Sequence, residues 1–185
     1  ETRDLAKHLS TQSGMLPSDP ANRQRQASQL MALNQVAMST AGTADQAGNN
    51  VTNLLSKMGA ESTKKTFKKD YGINLDERYL EGAKTGKTRF DVFGEALNEA
   101  MQKDIRYKKV ISDLGKTNNS GEREQILLSQ QGILEQSALS NILPDMQALA
   151  AGVALATQLK EFNRITTVNQ EKGLQSLTED AGTMR

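Results

Sequence analysis

Apolar side chains along this chain recur at steps of three and four residues. No five-residue stretch alternates apolar with polar while also being rich in β-branched residues. The first pattern puts side chains on one face of a 3.6-residue turn, and the second absence leaves strands unsupported. The chain is expected to be all-α: an elongated set of amphipathic helices joined by Gly and Asn turns, without a sheet. The clearest stripe is Ala47, Val51, Leu54, Leu55 and Met58. Thr43-Ala-Asp-Gln46 opens it as a capping box, in which hydroxyl and amide side chains satisfy each other's orphan backbone N–H groups. Gly59 closes it.

The remaining punctuation is helical too. Arg3 to Gln12 offers only Leu5 and Leu9 as an i, i+4 pair, a weak helix at best. Gly14 to Pro20 reads as a linker, with Asp19 capping a helix whose first residue is Pro20. Ala21 to Thr40 sets Ala27, Leu30, Met31, Asn34, Ala37 and Met38 on one face, and Gly42 is expected to end it in the left-handed region. Ser62 can cap a short helix carrying Phe67 and Tyr71, stopped by Gly72. Ile73 to Lys87 reads as a loop. Thr88 then caps a helix with Phe90, Phe93, Leu97, Ala100 and Met101 aligned, and Ile105, Tyr107, Val110, Ile111 and Leu114 continue the period to Gly115. Asn118-Asn-Ser-Gly121 is the strongest turn signal. Beyond it Ile126, Leu127, Ile133, Leu134, Ala138 and Ile142 run up to Pro144.

These boundaries divide the chain into a weakly ordered helix and linker (1–19), a helical region (20–115), a turn (116–121), a long helical hairpin (122–178) and a tail (179–185). The Ala-rich stretch after Pro144 puts Ala148, Gly152, Leu155, Leu159 and Phe162 on one face. Small residues four apart let helix axes approach closely. Val51, Leu54, Leu55, Met58, Ala148, Gly152, Leu155 and Leu159 are therefore the expected helix-packing interface. The partner expected for the Ala-rich helix is the Ile126 to Ile142 helix, folded back at Pro144.

Composition removes whole classes of chemistry. The net charge is +1, so no global charge points to nucleic acid or an anionic membrane. Without Cys there is no thiolate zinc site and no thiol nucleophile, and His8, the lone histidine, reads as a surface residue. Gly82-Ala-Lys-Thr-Gly86-Lys87-Thr88 departs from a phosphate loop, because Glu81 stands where the first glycine is required. Asp76, Glu77 and Glu81 lie beside Arg78 and Lys84, which favours solvated ion pairs over a catalytic carboxylate pair. Lys57, Lys64, Lys65, Lys68 and Lys69 form a basic cluster with only Phe67 interleaved, which reads as a solvated face. No catalytic, cofactor-binding or metal-binding residue and no small-molecule substrate is expected. Leu, Ile, Val and Phe make up only about a fifth of the chain, which favours thin helices over a bulky core. A start at Glu1 suggests a piece of something longer.

Four segments, read in order, resemble the conserved region of phage tail tape measure proteins. They are the Ala41 to Met58 block ending in a Leu-Leu pair, Tyr71-Gly-Ile-Asn-Leu75, Gly86 to Phe93, and Ile142-Leu-Pro-Asp145-Met-Gln-Ala148 opening the Ala-rich helix. With the helices that they open and close, the resemblance covers about residues 20 to 165. The resemblance implies a non-enzymatic virion protein, assembled in the host cytoplasm, that sets tail length, fills the tail lumen and takes part in genome delivery. It also implies other tail proteins as partners (tail tube, baseplate or tip hub), three or six copies, and DNA as a possible neighbour in the lumen. Two other readings are a secretion-channel or pilus-tip component, and a nucleic-acid-binding module using the Lys57 to Lys69 cluster.

Overall fold

Eleven α-helices and no strand make up the residues that the computed structural model describes, 2–117 and 119–183. They are α1 (Thr2–Met15), α2 (Arg23–Ala37), α3 (Ala44–Met58), α4 (Glu61–Tyr71), α5 (Leu75–Lys84), α6 (Arg89–Met101), α7 (Ile105–Leu114), α8 (Ser120–Glu135), α9 (Leu139–Ile142), α10 (Met146–Thr157) and α11 (Leu159–Thr183). Single 3-10 turns, Pro20–Asn22 and Met38–Thr40, flank α2.

Short polar side chains start most of these helices by accepting an orphan N–H of the first turn. Thr43 does so for α3, Asn74 for α5, Thr88 for α6, Asp104 for α7, Asn119 for α8 and Asp145 for α10. The box at Thr88 is complete, because Asp91 returns a bond from the Thr88 backbone N–H. The one at Thr43 is half of a box: Gln46 reaches the Gly42 N–H instead. Gly72 ends α4 in the left-handed region at φ 69°, where a side chain would be strained. Gly42 is not left-handed, since the 3-10 turn after α2 already turns the chain.

Several sequence expectations change. The stretch expected as a loop, Ile73 to Lys87, contains α5, because Asn74 caps it and Leu75 and Tyr79 bury one side. Helix α4 begins at Glu61 after Ala60, so Ser62 is not its cap. Gln158 breaks the long helix after Pro144 into α10 and α11. Met31, Met38, Ile105 and Ile133 are exposed rather than inward. Asn118 of the expected turn, and residues 184–185 of the expected tail, lie outside the described residues; residues 179–183 continue α11.

The helices share one core, which corrects the expectation of thin helices without one. All four Phe are buried in it, Phe67 edge-on to Phe93 at 5.9 Å between centroids and Phe90 beside Phe162 at 6.5 Å. Helix α2 sits in the middle, with α1, α3, α10 and α11 packed around it. Being surrounded, it buries polar side chains as well, Gln26, Ser28, Gln29 and Asn34 among them. Helix α10 packs chiefly on α3 and α2, whereas α8 lies along α7. The hairpin expected between α8 and α10 is therefore replaced: α9 and Pro144 redirect the chain away from α8.

Candidate functional site

The face of α3 that carries Val51, Leu54, Leu55 and Met58 is buried, and α10 lies on it with Ala148, Gly152 and Leu155 buried in turn. Gly152 makes room beside this face for Leu143, which lies between α9 and α10. A Cβ there would overlap Leu143 Cδ1 and stand 3.9 Å from Leu54 Cδ1. At the rim, Asn53 donates its amide to Gln147 Oε1 at 2.6 Å. Thr40 donates its hydroxyl to the Ala150 carbonyl at 2.9 Å. Leu159 is not part of this face. It opens α11 and meets Gly94 of α6, where a Cβ would come within 3.1 Å of Leu159 Cδ1.

Two buried tyrosines close the ends of the paired helices. Tyr79 on α5 donates to the Met58 carbonyl of α3 at 2.9 Å, and Tyr107 on α7 donates to the Ala156 carbonyl of α10 at 2.8 Å. Carbonyls in a last helical turn lack a partner within their own helix. Burial pushes both phenols well above their ordinary range, so both remain protonated donors. Arg89 stacks its guanidinium over the Tyr79 ring at 4.9 Å from the centroid.

A polar network ties α2, α6 and α11. Gln29 donates to Asp91 Oδ1 at 2.8 Å and accepts from the Thr88 hydroxyl at 2.6 Å. Arg25 donates to Asp91 at 2.9 Å and to Gln170 at 3.4 Å. Burial pushes the Asp91 carboxyl up, but the Arg25 bond and the Thr88 backbone N–H outweigh it and hold the group below its ordinary value. Thr88 is therefore a structural residue bound on two sides.

The candidate chemistry noted in the sequence is otherwise occupied. Lys87 gives its ammonium to both oxygens of Glu95, at 2.8 and 2.9 Å, instead of facing an anion cradle. Asp76 pairs with Lys64 at 2.9 Å and Glu81 with Lys84 at 3.0 Å, both at the surface, while Glu77 is exposed. Lys65, Lys68 and Lys69 are exposed on α4, and Lys57 is half-buried at the end of α3. Among the described residues no group of three or more His, Asp or Glu could hold a metal ion, and no helix is long and apolar enough to cross a membrane. His8 is buried, 7% exposed, which corrects its reading as a surface residue. Its Nε2 lies 2.9 Å from Asp45, and its ring fills the space left by Gly48.

Sequence reasoning gave no role to Tyr79, Gln29 or Gln12. The available signal for Tyr79 was its four-residue step from Leu75. Gln29 and Gln12 carry no local signal, because their partners come from distant helices. No family model, no curated protein and no solved structure matches the chain.

Proposed function

We propose that this chain is a structural, non-enzymatic segment of a phage or phage-like tail, a folded part of a tape measure protein. One observation supports the reading. The four segments that resemble that family also contribute to one core. The Ala41 to Met58 block supplies α3, and the Tyr71 to Leu75 block buries Ile73 and Leu75 at the turn into α5. Gly86 to Phe93 supplies Phe93, which rests edge-on against Phe67 of α4. Ile142 to Ala148 leads into α10, which lies on α3.

In this reading the segment acts by packing. An extended helix adds about 1.5 Å per residue to a ruler, whereas helices folded around a core form a body of fixed size. The segment is thus a folded station on the tape, held in the tail lumen by the tail tube, baseplate or tip hub. Copies gather in threes or sixes around the tail axis, with DNA as a possible neighbour. The test is an in-frame deletion of the segment in the phage that encodes it, with electron microscopy of tails and mass spectrometry of purified virions. Tails that are missing or altered in length, and peptides of this chain in wild-type virions, are expected. Normal tails from the deletion, with no such peptides in wild-type virions, would remove the reading.

A further inference from the structure

The first helix is attached differently from every other helix at the core. Among the described side chains of α1, the buried ones are His8 and Gln12, and Leu9 is only half-buried. Gln12 exchanges two bonds with Asn34 of α2, donating at 3.2 Å and accepting at 2.8 Å. It also donates to the Gly48 carbonyl at 3.0 Å and to Thr52 at 3.4 Å. His8 meets Asp45 at 2.9 Å. Around these two buried side chains the groove offers an amide, a hydroxyl, a backbone carbonyl and a carboxylate, groups that water can serve when the helix leaves, while Leu9 rests half-buried against the core. Hydrogen bonds of this kind return only a small net free energy, because each replaces a bond to water.

The linker favours the same motion. Residues 16–19 join α1 to the 3-10 turn, and Pro17 and Pro20 each bias the residue before them away from the helical region. Asp19 accordingly has φ −137° and ψ 83°. The linker therefore opens without breaking a helix.

We propose that α1 is an exchangeable helix: it leaves its groove while the other helices stay folded, and the α2–α3 groove takes α1 of a second copy of this chain. The fit is specific to that occupant. Gly48 provides the hole for an imidazole ring, since a Cβ there would overlap it. Asn34, Gly48 and Thr52 then receive an amide one helical turn further on. A second copy carries the same His8 and Gln12 at the same four-residue spacing, so the bonds within one chain and between two chains are the same. This is the condition for exchange of an element between identical subunits. The inference does not depend on the tail reading.

Two measurements on the full chain test it. The first is hydrogen exchange of the unmodified protein and of Gln12→Ala. Amides of residues 6–12 are expected to exchange much faster than those of α3. Gln12→Ala should speed them by roughly a further tenfold while α3 is unchanged. Equal protection of α1 and α3, or equal loss in both on Gln12→Ala, overturns the proposal. The second uses His8→Cys together with Gly48→Cys in a chain that has no other Cys. The overlap of the His8 ring with a Cβ at Gly48 brings the two sulfurs within disulfide reach. Oxidation at low concentration should give linked monomer, and at high concentration linked dimer that neither single variant gives. Linked monomer alone at both concentrations overturns the exchange.

Discussion

The Tyr107 hydroxyl lies 2.8 Å from the Ala156 carbonyl, and it comes from α7 to close the last turn of α10. Tyr79 does the same for Met58 at the end of α3. Removing either hydroxyl leaves a last-turn carbonyl deprived of its donor in a site that the ring keeps dry. Tyr107→Phe and Tyr79→Phe should each lower stability by about 1–3 kcal/mol, read from urea melts at constant slope. Unchanged midpoints in both would mean that water reaches these carbonyls as well as the phenols do.

Thr88 should behave as a cap with a second role. Thr88→Ala removes the acceptor for the Asp91 N–H, worth about 0.5–2 kcal/mol, and also leaves the buried Gln29 oxygen without its donor. The loss should therefore fall at the upper end of that range or beyond it, and Thr88→Ser should recover most of it. Lys87→Ala, by contrast, breaks an exposed pair with Glu95 and should shift stability by less than about 0.5 kcal/mol. ATP should not change the melt of either protein. A melt that ATP raises, and that Lys87→Ala returns to baseline, would restore the phosphate-loop reading.

Acid should weaken the α2–α6 contact through Asp91. Its carboxyl sits below its ordinary value in the folded chain, held there against burial by Arg25 and the Thr88 N–H. A depressed folded value means that the unfolded chain takes up the proton first. The stabilisation is complete above the unfolded value of about 3.9 and is lost as pH falls from there through the folded value. Between neutral pH and pH 3, the wild-type midpoint in urea should fall further than that of Asp91→Asn. Parallel curves for the two proteins would mean that Asp91 is not the group concerned.

What the sequence made legible was local. Thr88, Asp145 and Gly72 announce helix ends by chemistry confined to one turn. The stripe from Ala47 to Met58 announces a buried face by period alone. Helix α2 was harder. Four helices surround it, so polar side chains such as Gln29 and Asn34 point inward to partners many residues away, and the apolar period is blurred. Met31 and Met38 were misplaced for that reason. Helix α5 was hidden by its Gly and charged residues, although Asn74 and the Leu75–Tyr79 step carry it. The interface was half legible: small residues marked α10 as a close-packing helix, but nothing local says that α3 rather than α8 lies against it. The α1 contact was not legible at all, since a histidine and a glutamine normally mark a surface.

Gly152 carries the sharpest test of the packing of Leu143 on α10, beside the α3 face. The space above its Cα is already filled by Leu143 Cδ1, with Leu54 Cδ1 just beyond. Both leucines are fully buried, so neither can swing into solvent. Gly152→Ala gains helix propensity, which would stabilise an exposed site by about 1 kcal/mol. Here the overlap should dominate and cost a net of about 1–3 kcal/mol. Leu143→Ala alone should cost about 2–5 kcal/mol by opening a cavity, as should Leu54→Ala. The new methyl fits the space that Leu143→Ala vacates, so the double variant should be less unstable than the two single losses summed. A coupling of about 0.5–3 kcal/mol is the range for residues in contact. Gly152→Leu has no such space and should unfold the isolated chain. If it melts like wild type instead, Leu143 does not fill the space over Gly152 and the close packing is wrong.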